Sequence, residues 1–125
     1  MIDPIAHIYQ DFGNTAPYYK LVDEFYARVE QDKLLRPMYP DDLSDAKRHL
    51  ALFLIQRTGG ATTYSNERGH PRMRARHLPF RIGMAERDAW MHNMTEALNS
   101  VPEFAPHKEA MMTFFSDFAT FMINQ

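Results

Sequence analysis

At 125 residues, with a formal net charge of −2 and no cysteine, the chain has the length for one domain (1–125) with a core of its own. It offers no disulfide, zinc-thiolate site or thiol nucleophile. Its charge balance gives no general pull toward nucleic acid, no stretch is long and apolar enough to span a membrane, and the opening MIDPIAHIYQ lacks the basic flank and apolar run of a signal peptide. The expectation is therefore a soluble cytoplasmic protein.

Tyr18, Leu21, Val22, Phe25, Tyr26 and Val29 recur at helical spacing, which predicts an amphipathic helix over 17–31. Thr15 is placed to cap it, and Pro17 suits its first turn. LLRPMYPDDL then brings two prolines and an Asp pair, a sharp corner that holds Tyr39. Ala46, Leu50, Phe53 and Leu54 mark a second helical stripe, started by Asp42 or Ser44 and ended by Gly59-Gly60. Residues 58–71 show no period, and a long loop inside a compact chain points to function. A short helical turn is predicted over 73–78. A third main helix spans 84–99, with Trp90, Met94, Ala97 and Leu98 on one stripe. A last helix over 106–122 turns Met111, Phe115, Phe118, Ala119 and Met122 inward. No alternating strand is present in the pattern. The fold class is all-α, with four main helices around an irregular middle. Nine Met and nine Phe fit either ordinary packing or an interior shaped around a large apolar ligand.

The stretch RGHPRMRARHLPFRIG stands out: between positions 68 and 81 it holds five of the chain's 14 cationic residues and two histidines, with no acid. His77 closes the short turn and is followed by Leu78, Pro79, Phe80 and Ile82. A neutral imidazole ligates iron well, and an apolar floor suits one face of a flat macrocycle. Arg74 and Arg76 lie within one turn of His77, and a guanidinium fork matches the propionates at a haem edge. A solvated basic loop accounts for the same residues. Nucleic-acid binding does not fit, because acids are plentiful outside the stretch and Phe80 and Ile82 are patterned for burial rather than stacking.

The pattern GG-x3-Y-x4-RGHP-x-x-R-x-RH-x-PF-x-I, from Gly59 to Ile82, resembles the group II (O-type) truncated haemoglobins. LVDEFYARV, LLRPMYPDDL, HLALFLIQ and ERDAW resemble that family in the same order and spacing. The resemblance implies a truncated globin, a two-over-two helical sandwich around haem b (iron protoporphyrin IX), with a long central loop replacing most of one globin helix. It implies His77 as the iron ligand. Tyr26, Tyr39, Ala46, Leu50 and Trp90 become the distal ligand-binding residues, and Tyr64, His70, Arg74 and Arg76 stand near the propionates. Phe53, Leu54, Phe80 and Ile82 complete the expected haem contacts.

Two departures from the family pattern bear on this. DFGNTAPY has Asn14 where a second glycine is common, and Asn tolerates left-handed backbone. Ala46 stands where many globins keep a distal histidine, leaving Tyr26 and Trp90 to hold bound dioxygen. His49 lies about 100° round the helix from Leu50, an orientation that favours solvent or the propionate side over the iron. The expected activity is binding of dioxygen and other small gaseous ligands at a five-coordinate haem iron, with slow release and oxygen transport among its roles. The alternative is a haem-dependent redox enzyme, a peroxidase or nitric-oxide dioxygenase served by an external reductase. A haem-free helical interaction module is a third reading. Monomer and homodimer are both open.

Overall fold

The computed structural model describes residues 3–125, and every regular element among them is helical. In chain order these are α1 (Ile8–Phe12), α2 (Ala16–Val29), α3 (Ser44–Arg57), α4 (Thr63–Arg68), α5 (Met73–His77), α6 (Met84–Asn99) and α7 (Lys108–Phe121). Two 3-10 turns, Arg36–Met38 and Pro102–His107, fill the proline-rich corners. None of the helices is long and apolar enough to cross a membrane.

α2 buries the predicted stripe of Tyr18, Leu21, Val22, Phe25, Tyr26 and Val29. It packs on α3 and on α6, and α6 packs on α7. Two helix pairs, α2/α3 and α6/α7, therefore meet through α2 and α6. α3 departs from a simple stripe. Its C-terminal half buries Ala51, Leu52, Phe53, Leu54 and Ile55 consecutively, whereas Ala46 and Leu50 nearer its start are only half-buried. That asymmetry lets one helix close the core at one end and line open space at the other.

The start of α2 is set by a side chain one position before the expected one, and the start of α3 by one of the two residues expected there. Thr15 makes no capping hydrogen bond; the Asn14 Oδ1 accepts from the Ala16 N–H at 2.9 Å instead. Asn14 does not take up the left-handed backbone either, because Gly13 does, at φ 70°. Asn14 thus substitutes for a second glycine by capping rather than by bending. At α3, Asp42 Oδ1 accepts from the Ser44 N–H at 2.9 Å.

The polar core is small and fully accounted for. Thr58 Oγ1 lies 2.8 Å from the Leu54 carbonyl and 2.6 Å from the Tyr18 hydroxyl. A carbonyl can only accept and threonine has one hydroxyl proton, so Thr58 donates to Leu54 and Tyr18 donates to Thr58. Burial pushes the Tyr18 phenol up to about 12. Nearby, the Tyr9 N–H donates to the Thr58 carbonyl at 3.1 Å, which fastens α1 to the end of α3.

The segment expected to be a loop over 58–71 contains α4. Its only buried residue is Tyr64, so the sequence shows no period there. It is held by tertiary contacts: the Gln56 side chain donates to Ser65 Oγ at 2.8 Å and accepts from the Ser65 N–H at 3.0 Å.

Candidate functional site

A cavity of about 430 Å3 opens between the N-terminal half of α3, α4, α5 and α6. Its walls include Tyr26, Tyr39, Ala46, His49, Leu50, Tyr64, Arg68, Arg76, His77, Phe80 and Trp90. A second void of about 50 Å3 adjoins it, sharing Met38, Tyr39, His77, Trp90 and Phe118 and adding Ile82.

His77 is the last residue of α5, and its Nδ1 lies 2.6 Å from the Met73 carbonyl one turn back. The carbonyl can only accept, so Nδ1 carries the proton and the lone pair of the neutral ring is on Nε2. Such a bond from the non-ligating nitrogen is what fixes tautomer and ring orientation in metal-binding histidines. The chain enters α5 through Arg72 in left-handed backbone at φ 45°, with the His70 Nδ1 accepting the Arg72 N–H at 3.2 Å. Beyond α5, Asn124 holds the segment from outside. Its side chain donates to the carbonyls of Phe80 at 2.8 Å and His77 at 3.3 Å and accepts from the Ile82 N–H at 2.9 Å. Its own N–H donates to the Ile82 carbonyl at 2.8 Å. If His77 holds haem as the family resemblance implies, Asn124→Ala is expected to speed haem loss at least tenfold, since it removes three side-chain bonds of about 1 kcal/mol net each and a factor of ten takes about 1.4 kcal/mol. Transfer of haem to an excess of an acceptor protein measures it, and an unchanged rate would show that the tail does not position His77.

Tyr26, Tyr39 and Trp90 supply three polar donors to the same cavity. The Tyr26 and Tyr39 rings meet edge to face at 5.5 Å, and Trp90 is wedged between Phe25 at 5.1 Å and Phe115 at 5.6 Å. Burial pushes the Tyr39 phenol up to about 12, while the Tyr26 hydroxyl and the Trp90 indole beside its oxygen pull the other way. Tyr26 is raised well above an ordinary phenol, by burial first and by its neighbour Tyr39 second. Both phenols are therefore protonated donors at neutral pH. The corner carrying Tyr39 is rigid because the Arg36 guanidinium donates to the carbonyls of Tyr39, Pro40 and Asp41 at 3.1–3.2 Å.

The rim carries the cations. The Arg68 guanidinium contacts His49 Nδ1 and lies 5.7 Å over the Tyr64 ring. Arginine can only donate, so His49 accepts on Nδ1. Burial, then the Arg68 charge, holds the His49 imidazole below its usual value and hence neutral. Arg76 reaches back to the carbonyls of Pro71 at 2.7 Å and Arg68 at 2.9 Å, bracing the turn between α4 and α5.

Of the residues named from sequence, Tyr26, Tyr39, Ala46, Leu50, Tyr64, Arg76, His77, Phe80 and Trp90 line the cavity, and Ile82 lines the adjoining void. The other four stand elsewhere. Arg74 donates to the carbonyls of Phe121 at 3.2 Å and Ile123 at 3.4 Å, at the end of α7. His70 is exposed on the turn before α5. Phe53 packs behind the cavity, on Tyr64 at 5.7 Å and Phe118 at 5.5 Å, and Leu54 lies wholly in the core. His49 and Arg68 both face the cavity. Arg68 lay within the basic stretch but had no periodicity to single it out.

The residues present fit a haem: one imidazole with a free ring nitrogen, a mainly apolar cavity, and guanidinium groups at its rim. Residues 7–124 match the bacterial-like globin family. The chain is 41% identical over 106 residues to the group 2 truncated hemoglobin YjbI of Bacillus subtilis, covering 85% of this chain and 80% of that one. It belongs to the group II truncated haemoglobins. Among solved structures, it superposes on the hemoglobin of Chloroflexus aurantiacus with a TM-score of 0.91, 47% identity, and 95% and 98% of the two chains covered. The truncated oxygen-avid haemoglobin from Bacillus subtilis gives a TM-score of 0.89 at 36% identity, covering 94% of this chain and 99% of that one. As in those truncated haemoglobins, the helix pairs α2/α3 and α6/α7 form the two-on-two sandwich. Family membership implies a haem cofactor and binding of small gaseous ligands.

Proposed function

We propose that the chain holds haem b in the cavity through His77 and binds dioxygen and other small diatomic ligands there, releasing them slowly. Haem, when bound, supplies an iron with one position for a protein imidazole and one for a diatomic ligand. The observation that carries the reading is the His77 ring: Nδ1 donates to the Met73 carbonyl at 2.6 Å, which leaves the lone pair on Nε2 free to ligate iron. Tyr26 and Trp90 donate hydrogen bonds to the ligand, and Tyr39, which both approach, adds or orients one. Ala46 and Leu50 leave an apolar wall with no imidazole. His49, the cavity's second imidazole, spends Nδ1 on Arg68, which supports His77 as the single protein ligand. Arg68 and Arg76 stand where carboxylates of the cofactor would be met.

Absorption spectroscopy during hemin titration tests this. The expected result is saturation at one haem per chain, a strong Soret band, and five-coordinate ferrous spectra that change on adding oxygen. A colourless chain, or a ferrous form with two histidine ligands, would overturn it.

The contact between the Arg68 guanidinium and His49 favours a second activity, turnover of peroxide or nitric oxide at the same site. If substrate draws the guanidinium away, the Nδ1 lone pair of His49 is freed to accept a proton while the guanidinium stabilises developing negative charge. Sustained turnover would draw on an external reductase. Steady-state assays with each substrate and a supplied reductant separate this from reversible binding.

A further inference from the structure

Among residues that line neither the cavity nor the void beside it, three potential metal ligands converge. His7 precedes α1 and Asp11 lies one turn further on, so the two side chains share a face of that helix. His107 arrives from the end of the turn Pro102–His107, at the start of α7. One oxygen, Asp11 Oδ2, lies 3.7 Å from His7 Nε2 and 3.4 Å from His107 Nε2. All three ligand atoms fall within 4.8 Å of one another.

We propose that His7, Asp11 and His107 bind a divalent transition-metal ion of the zinc type. Zinc holds nitrogen and carboxylate oxygen at about 2.0–2.2 Å, which for a tetrahedron puts neighbouring ligand atoms roughly 3.3–3.6 Å apart. The two edges that run through Asp11 already have that length to within a few tenths of an ångström. The third edge, between the imidazoles, closes by a turn of the exposed His7 ring. His107 needs no such movement. Its side chain is only 13% exposed and its ring stands edge to face with Phe12 at 5.6 Å and with His7 at 5.8 Å. One rigid ligand, one carboxylate between, and one mobile ligand make a site that is partly built before the ion arrives.

The donor set selects the class of ion. Two imidazoles and one carboxylate suit zinc, nickel or copper, and are poor for magnesium and calcium, which take oxygen ligands. Three protein ligands leave a fourth position for water. Ion pairing alone gives little reason for the cluster. The contacts are longer than good hydrogen bonds, and surface pairs of this kind contribute little. A metal ion would satisfy all three groups at once. It would also join residues a hundred positions apart in the chain, so its binding energy would favour the folded state.

The test uses the haem-loaded protein, stripped with a chelator and titrated with zinc chloride by calorimetry. One zinc per chain is expected, with a melting temperature that rises by roughly 10 °C at a hundredfold excess over Kd. His107→Ala and Asp11→Asn are each expected to weaken binding at least tenfold and to remove the thermal shift. Their Soret spectra should stay unchanged, which shows that the fold and the haem site survive. A zinc-edge anomalous peak between His7 and His107 would locate the ion. Absence of saturable binding, or equal binding by His107→Ala and Asp11→Asn, would overturn the proposal. Failure here leaves the haem reading untouched, because the two sites share no residue.

Discussion

His77→Gly is expected to strip the protein of stable haem while leaving its helices in place. His77 lies at the end of a five-residue helix that buries no residue of its own, so its loss removes a ligand without opening the core. Circular dichroism should therefore match the wild type. Hemin titration should give a weak, non-saturating Soret band instead of a sharp end point. The glycine leaves room for a free imidazole, and adding imidazole should restore a five-coordinate spectrum. Recovery would identify the lost function as iron ligation rather than loop structure. A normal Soret band in the variant without added imidazole would contradict the assignment of His77, and with it the account of the cavity.

Tyr26→Phe and Trp90→Phe are each expected to speed oxygen release by about one to two powers of ten. A hydrogen bond to a charged acceptor contributes about 1.5–3 kcal/mol, and each 1.4 kcal/mol is a factor of ten. The phenylalanine at 26 keeps the ring packing against Phe25 at 5.0 Å and Tyr39 at 5.5 Å, so the change is confined to the hydroxyl. Trp90→Phe also leaves a gap beside Phe25, Phe115 and Phe118 and should cost some stability. The two substitutions should not add independently, because both side chains approach the oxygen of Tyr39. Stopped-flow displacement of oxygen measures each rate. Unchanged release in both single variants and in the double variant would remove Tyr26 and Trp90 from the binding site.

α2, α6 and α7 could be read from the sequence because each buries residues at helical period, whereas α3 was legible as a helix but not in which of its residues are buried. α6 begins and ends where the pattern of Trp90, Met94, Ala97 and Leu98 places it. α1 and α4 were not legible, since each buries a single residue, Ile8 or Tyr64, and one residue has no period. Asn14 and Thr15 are both good capping residues, and only the backbone decides between them. At the cavity, the motif around His77 pointed to the segment but could not sort its arginines. Arg74 and Arg76 are neighbours on one short turn, yet one bonds the end of α7 and the other the loop after α4. That difference depends on what packs nearby. Asn124 had no sequence signal at all, because its partners lie more than forty residues away.

The bonds from Asn124 and Arg74 also set an order of events in folding. The stretch from His77 to Ile82 gets its shape from a residue more than forty positions downstream, so it cannot be finished until α7 has docked. While the chain is still emerging from the ribosome, the helices of the first pair can form and pack, but the turn proposed to hold iron is still unset. On the proposed ligation by His77, cofactor capture therefore waits until α7 has docked.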